Sequence, residues 1–192
     1  MNFIFDIGNV LAEYKPVDYL ETLFSDDSIV RKMNNTIFKS RQWVLMDLGE
    51  LSHKDAMEIF CESEPEFESA IRKTFSNIND VLPPISETIE LLPKIKSLGH
   101  NLFYLSNMHK EFSIYLLENY DYFDLFDGGV FSSDVHLIKP SPEIYRLLLN
   151  EYSLDPKDCL FFDDVEENVT AAEKEGIKGV LFTTAECVLR YI

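Results

Sequence analysis

Asn2-Phe3-Ile4-Phe5-Asp6-Ile7-Gly8-Asn9-Val10 begins with four residues suited to a buried strand, then places an acid at the strand's carboxyl end and a glycine-containing turn after it. Three further apolar runs rich in β-branched or aromatic residues, at 101–105, 159–162 and 179–182, read as buried strands, with 129–131 as a weaker fifth. Segments with helical spacing separate them. One begins at Ser86 and stops before Gly99, and another spans 165–175 and stops before Gly176. Ser141-Pro142 and Asp155-Pro156 each put a proline at a first helical position. Strands alternating with helices imply right-handed crossovers, so the predicted class is α/β, with a doubly wound parallel sheet covered on both faces.

Residues 16–77 break that alternation with several amphipathic helical segments and no convincing strand. The two-proline step at Pro83-Pro84 is the clear linker signal. The expected organisation is a core of residues 1–15 and 78–192 with a small α-helical cap, 16–77, inserted after the first strand and hinged on the core.

A chain of 192 residues with 46% hydrophobic content has enough apolar surface for one buried domain plus such an insertion. Thirty-four acidic against 17 basic residues give a net charge of −17, which opposes binding to nucleic acid or to an anionic membrane. A small anion can still bind beside a local cation. Cys61, Cys159 and Cys187 are too few and too scattered for a disulfide framework and form no CxxC pair, which predicts a reducing, cytoplasmic setting. The first ten residues lack a basic leader region, and no apolar run approaches the roughly 18 residues needed to span a bilayer, so neither export nor membrane insertion is expected.

In parallel sheets, ligands gather at the carboxyl ends of strands. The residues there are Asp6, the pair Ser106-Asn107, and the pair Asp163-Asp164. A carboxylate such as Asp6 can act as a nucleophile, and equally can cap a turn. Ser106-Asn107 offers a hydroxyl, an amide and backbone N–H groups suited to phosphate oxygens, and also reads as an ordinary helix cap. Two adjacent acids ending an apolar strand need a cation. Magnesium with oxygen ligands answers that need, as does a shared lysine. Lys139, before the proline-started helix, is placed to pair with Asp6 and an incoming phosphate, although a lone lysine is more often solvated.

The order strand-Asp, strand-Ser-Asn, Lys-Pro before a helix, and strand-Asp-Asp resembles the four motifs of the haloacid dehalogenase superfamily, here Phe5-Asp6-Ile7-Gly8-Asn9-Val10, Leu105-Ser106-Asn107, Lys139-Pro140 and Phe162-Asp163-Asp164. The similarity covers nearly the whole chain, and the insertion matches the family's helical cap. The resemblance is greatest to small sugar-phosphate phosphatases, the glucose-1-phosphatase-like branch with a Rossmann-like core. It implies a hydrolase acting on a small phosphorylated substrate, with Asp6 as nucleophile and magnesium ligand. It further implies the Gly8 carbonyl, Asp163 and Asp164 as the rest of the magnesium site, and Ser106, Asn107 and Lys139 as holders of the phosphoryl group.

The family's phosphatases mostly carry a second aspartate two residues after the nucleophile, as general acid and base, and here that position is Gly8. Lost acid help costs about 10²–10⁴ in rate, least for leaving groups that depart readily. Glu13 is the nearest substitute in sequence. A haloacid dehalogenase also lacks that aspartate, but Asp163-Asp164 without a cation would repel its carboxylate substrate. A non-catalytic binding protein on the same fold is the remaining alternative.

Of the cap, Arg41 to Glu50 is the segment expected to face the site, with a tight turn at Gly49 and a helix starting at Ser52. Trp43 can stack on a sugar, and Arg41 or Asp47 can bind hydroxyls, while packing is the commoner role for a lone cap tryptophan. His53, His100, His109 and His136 lack metal-ligand spacing, and His109 is expected at a surface helix start. Tyr115, Tyr120, Tyr122, Phe123 and Phe126 are expected to pack a helix and loop onto the sheet. Monomer and homodimer both remain open.

Overall fold

The computed structural model describes residues 1–192. Five strands, β1 (Asn2–Phe5), β2 (Asn101–Ser106), β3 (Gly128–Phe131), β4 (Cys159–Asp163) and β5 (Lys178–Leu181), form one sheet in the order β3-β2-β1-β4-β5, every pair parallel. The predicted doubly wound class is therefore observed, with each strand within one residue of its expected bounds.

Alternation of side chains sorts these strands onto two cores. Phe3, Phe5, Leu102, Leu160 and Phe162 enter one apolar cluster, whereas Ile4, Phe103, Leu105, Cys159 and Phe161 enter the other. Burial on both faces explains why these strands read as continuous apolar runs rather than alternating ones. On the first face the Phe5 and Phe162 rings stack at 5.0 Å between centroids. The predicted aromatic packing is also present, with Phe123 and Phe126 edge-on to Tyr104 of β2.

Between β1 and β2 lie α1 (Pro16–Leu23), α2 (Asp27–Met33), α3 (Arg41–Asp47), α4 (His53–Ser63), α5 (Glu68–Ser76), α6 (Ser86–Ile89) and α7 (Leu92–Ser97). Then come α8 (Lys110–Asn119) before β3, α9 (Ser132–Val135) and α10 (Pro142–Glu151) before β4, α11 (Glu166–Lys174) before β5, and α12 (Glu186–Leu189) at the end. Local chemistry sets several starts. Ser40 and Ser52 accept hydrogen bonds from Trp43 N and Asp55 N, and Pro142 occupies the first turn of α10.

Two helix expectations need correction. The helix predicted from Ser86 to Gly99 is broken into α6 and α7, because Pro93 lacks the N–H that would bond back to Ile89 and its ring crowds that carbonyl. Asp155-Pro156 begins only a 3₁₀ turn, Pro156–Asp158, since Cys159 already starts β4.

Helices α1 to α5 form the insertion, and they share their apolar cluster with the sheet. Leu20, Met33, Met46 and Ile71 belong to the same 34-residue cluster as Phe3 and Phe5. At Gly49, in the turn after α3, φ is +68°, and a Cβ there would lie 2.2 Å from the Ser133 carbonyl oxygen of α9. The turn thus needs glycine for its conformation and for its close approach to the core. Gly49→Ala is expected to cost about 1–3 kcal/mol and to lower the melting temperature by roughly 3–10 °C. An unchanged melting temperature would show that the insertion does not depend on this contact.

Candidate active site

The chain passes from β1 to one side of the sheet and later crosses back to place β4 on the other, so the crevice beyond β1 and β4 is the topological switch point. Parallel pairing of Phe5 with Tyr104 and with Phe162 sets Asp6 level with Asp163, the last residue of β4, and within one position of Ser106, the last residue of β2. Asp6 N donates to the Phe162 carbonyl at 2.9 Å, which fixes the first of them.

Lys139 is the cation among these acids. Its ammonium, 3% exposed, lies 2.8 Å from Asp6 Oδ1 and 2.7 Å from Asp163 Oδ2. Burial works against its charge, and Asp6 and Asp163 more than offset that, so its pKa is raised. The Asn107 amide holds the Lys139 main chain at both ends, Nδ2 donating to its carbonyl at 3.0 Å and Oδ1 accepting from its N–H at 2.8 Å. Asp163 accepts from Val165 N at 2.8 Å and from Asn168 Nδ2 at 3.1 Å, so both of its oxygens have protein donors.

Asp6 Oδ1 also accepts from Ile7 N at 2.7 Å, which leaves Oδ2 as the oxygen able to reach an incoming atom. Burial lifts the Asp6 pKa to about 6, with Lys139 the main opposing influence, so the carboxylate is ionised at neutral pH. Asp164 is steadied by Asn9, whose Nδ2 donates to Oδ2 at 3.0 Å while its Oδ1 accepts from Tyr14 N. Asn9 adopts φ +54°, a conformation asparagine tolerates better than most residues.

Asp6, Asp163 and Asp164 offer oxygens all within 4.8 Å of one another. Three carboxylates facing one ammonium leave two negative charges uncompensated, and an all-oxygen donor set with that deficit fits a hard divalent cation. Ser106 is buried beside Asp6, and its hydroxyl favours the charged carboxylate.

Asp6, Gly8, Ser106, Asn107, Lys139 and Asp164 line one cavity of about 220 Å³. Tyr14, Trp43, Met108 and Phe112 supply its apolar wall, and Asp47 and His109 its other polar groups. Trp43 is buried as expected for packing, 4.7 Å from the Phe38 ring. Arg41 is exposed and does not line the cavity, and Glu13 pairs with Lys15 at 2.9 Å outside it. His109 is not the predicted surface residue. It is 1% exposed, because Trp43 of the insertion covers it at 4.2 Å and Phe112 stacks on its ring at 4.9 Å. Asn9, Asn168 and Tyr14 had no distinctive sequence signal, since their contributions depend on strands distant in the chain.

Asp47 Oδ1 lies 3.3 Å from His109 Nε2. Burial raises the Asp47 pKa to about 7, with Lys139 lowering it and Asp6 raising it. His109 is held well below the usual histidine range by burial and by His53, and is neutral. Because folding raises the Asp47 pKa above its ordinary 3.8, the stability linked to its proton is complete below that value and is lost as pH rises through about 7. Urea unfolding across about pH 4–7 should therefore show a shallower fall in stability for Asp47→Asn than for the wild type, while equal slopes would mean that Asp47 titrates normally. Lys139→Met strands two buried acids and should cost about 3–5 kcal/mol in the same assay. A loss below about 1 kcal/mol would show that Lys139 does not hold the cluster together.

The sequence profile of haloacid dehalogenase-like hydrolases matches residues 1–176. A sesquiterpene phosphatase of Aspergillus oryzae is 28% identical over 94% of this chain and 88% of its own. A phosphorylated carbohydrates phosphatase of Thermotoga maritima is 26% identical over 92% and 82%. The fold is shared with a HAD family enzyme of Bacteroides thetaiotaomicron crystallised with magnesium and inorganic phosphate, at a TM-score of 0.74 and 20% identity over 95% and 94%. An L-2-haloacid dehalogenase of Xanthobacter autotrophicus shares it at 0.68 and 18% identity over 98% and 80%. With the family profile spanning nearly the whole chain, and with Asp6, Ser106, Lys139 and Asp164 gathered in one cavity, the protein belongs to the haloacid dehalogenase-like hydrolases.

Proposed function

We propose that this protein is a magnesium-dependent phosphatase that hydrolyses a small phosphomonoester of a sugar through an aspartyl-phosphate on Asp6. The observation that carries this reading is the unbalanced acid cluster, with Asp164 left to complete a cation site beside a lysine-held nucleophile. A dehalogenase, whose substrate carries its own carboxylate, gains nothing from Asp164 in the same cavity. Two of the relatives similar over most of this chain are phosphatases, and a third, 25% identical over 98% of this chain and 35% of its own, is a drimenol cyclase of Aspergillus calidoustus. A cavity of about 220 Å³ lies below the roughly 300–1,000 Å³ of typical ligand sites and favours a carbohydrate-sized over a terpenoid substrate.

In this reading Asp6 Oδ2 attacks phosphorus and water later cleaves the acyl phosphate. Asp6, the Gly8 carbonyl and Asp164 hold the magnesium, and Asp163 supports the site chiefly by holding Lys139. When bound, magnesium neutralises charge on the transferring phosphoryl group. The Lys139 ammonium and Ser106 hydroxyl contact phosphoryl oxygens, while Asn107 keeps Lys139 in position. Residues 16–77 serve as the cap that shapes the cavity, through Trp43 and Asp47. The substrate in this reading is a small phosphate ester and the setting a reducing cytoplasm, with which the three free cysteines are compatible; no helix is long and apolar enough to cross a membrane.

Phosphate release from sugar phosphates, glycosyl 1-phosphates and 4-nitrophenyl phosphate tests the reading. Turnover should require magnesium, vanish in chelator, and fall by at least about 10³ in Asp6→Asn. Turnover that survives Asp6→Asn would remove Asp6 as nucleophile, and magnesium-dependent binding without turnover would favour a non-catalytic protein.

A further inference from the structure

We infer that Asp47, reaching the cavity from the helical insertion and backed by His109, is the acid–base group that position 8 lacks. This rests on the phosphatase reading above. A departing alkoxide needs a proton, and Gly8 has no side chain to give one. Glu13 lies outside the cavity. Tyr14 lines it, but burial pushes its hydroxyl well above the range useful at neutral pH.

Asp47 is fixed relative to the core. Its carbonyl accepts from Ser132 Oγ at 2.5 Å, and the same hydroxyl accepts from Met108 N at 2.9 Å, two residues beyond Ser106. The next carbonyl, of Leu48, lies 2.7 Å from His136 Nδ1, and Gly49 then abuts Ser133. The carboxyl group ends α3, where the partial negative charge of the helix terminus disfavours the ionised form. The groups facing it are Asp6 and Lys139 from the core, Tyr14, and the neutral His109. No cation pairs with it directly. A carboxyl group of pKa about 7 both holds and releases a proton near neutrality.

The His109 ring supplies an independent pointer. Nε2 is fully buried, faces Asp47 at 3.3 Å, and has no aligned hydrogen-bond partner, while Nδ1 lies 2.9 Å from His53 Nε2. With His53 Nε2–H donating to His109 Nδ1, His109 carries its proton on Nε2, 3.3 Å from Asp47 Oδ1 and within a small ring rotation of bonding to it. In this reading Oδ2, the oxygen away from His109, carries the proton given to the leaving oxygen in the cavity that Asp47 lines. His109 is thereby a positioning residue.

Two steps use the proton. As Asp6 Oδ2 bonds to phosphorus and the ester P–O bond breaks, Asp47 gives its proton to the departing oxygen. A water oxygen then bonds to phosphorus, the Asp6–phosphorus bond breaks, and the water proton passes to the Asp47 carboxylate. The cycle returns Asp6 as carboxylate and Asp47 protonated.

The test compares kcat/KM for the best alkyl phosphate of the panel with that for 4-nitrophenyl phosphate, whose leaving group needs no proton. Asp47→Asn should lower the alkyl value by about 10²–10⁴ and change the aryl value by less than about threefold. The retained aryl activity shows that the variant is folded. A Cβ at Gly8 meets only Tyr14 Cβ at 3.8 Å, so a side chain can start there without a clash, and adding Gly8→Asp to Asp47→Asn should restore at least about tenfold of the alkyl activity. Equal losses on both esters, no loss on either, or a wild type that cleaves the aryl ester alone would overturn the inference. If Asp6 and magnesium are still required in those cases, only this inference falls, whereas turnover independent of Asp6 removes the phosphatase reading itself.

Discussion

Everything at this site depends on a single buried ammonium. A parallel sheet brings the carboxyl ends of its central strands together, and here each of the two middle strands, β1 and β4, leads into an aspartate. Charges held that close out of water are tolerated only against a counter-charge. Lys139, between Asp6 and Asp163, provides it. The lysine's main chain in turn is held by Asn107 just after β2, so three strands converge on one residue. One lysine cannot neutralise three acids, and that shortfall leaves the crevice suited to a hard divalent cation.

The insertion completes what the sheet leaves open. Its helices join the sheet's own apolar cluster, and its α3–α4 turn is locked to α9 through Gly49 and Ser132. These contacts do more than shape a lid over the cavity. They set Trp43 over the buried His109 and the half-buried Asp47 beside it, at the wall of the cavity. Burial is what turns Asp47 from an ordinary acid into one that titrates near neutrality.

Gly8 and Asp47 are best considered together. At position 8 a Cβ would meet only Tyr14 Cβ at an ordinary contact distance, so packing at that atom does not impose the glycine. A carboxyl group from the insertion ties the chemistry to the placement of the insertion, so that proton transfer and substrate enclosure depend on the same contacts.

By itself the sequence determined the sheet and the residues at its carboxyl ends. Apolar runs such as Phe3-Ile4-Phe5 and Leu160-Phe161-Phe162 can only be buried strands, and the polar residue that ends each of them must face the ligand crevice. Glycine and proline signals located most helix ends, and failed where Pro93 cut a helix whose spacing otherwise ran on to Gly99. Tertiary structure decided the rest. Whether Asn107 touches phosphate or clamps Lys139, whether His109 is wet or dry, and whether Asp47 or Glu13 serves the leaving group are set by segments tens of residues apart in the chain. Such contacts leave no local periodicity, because they arise from how an insertion seats on a sheet rather than from how any one segment folds.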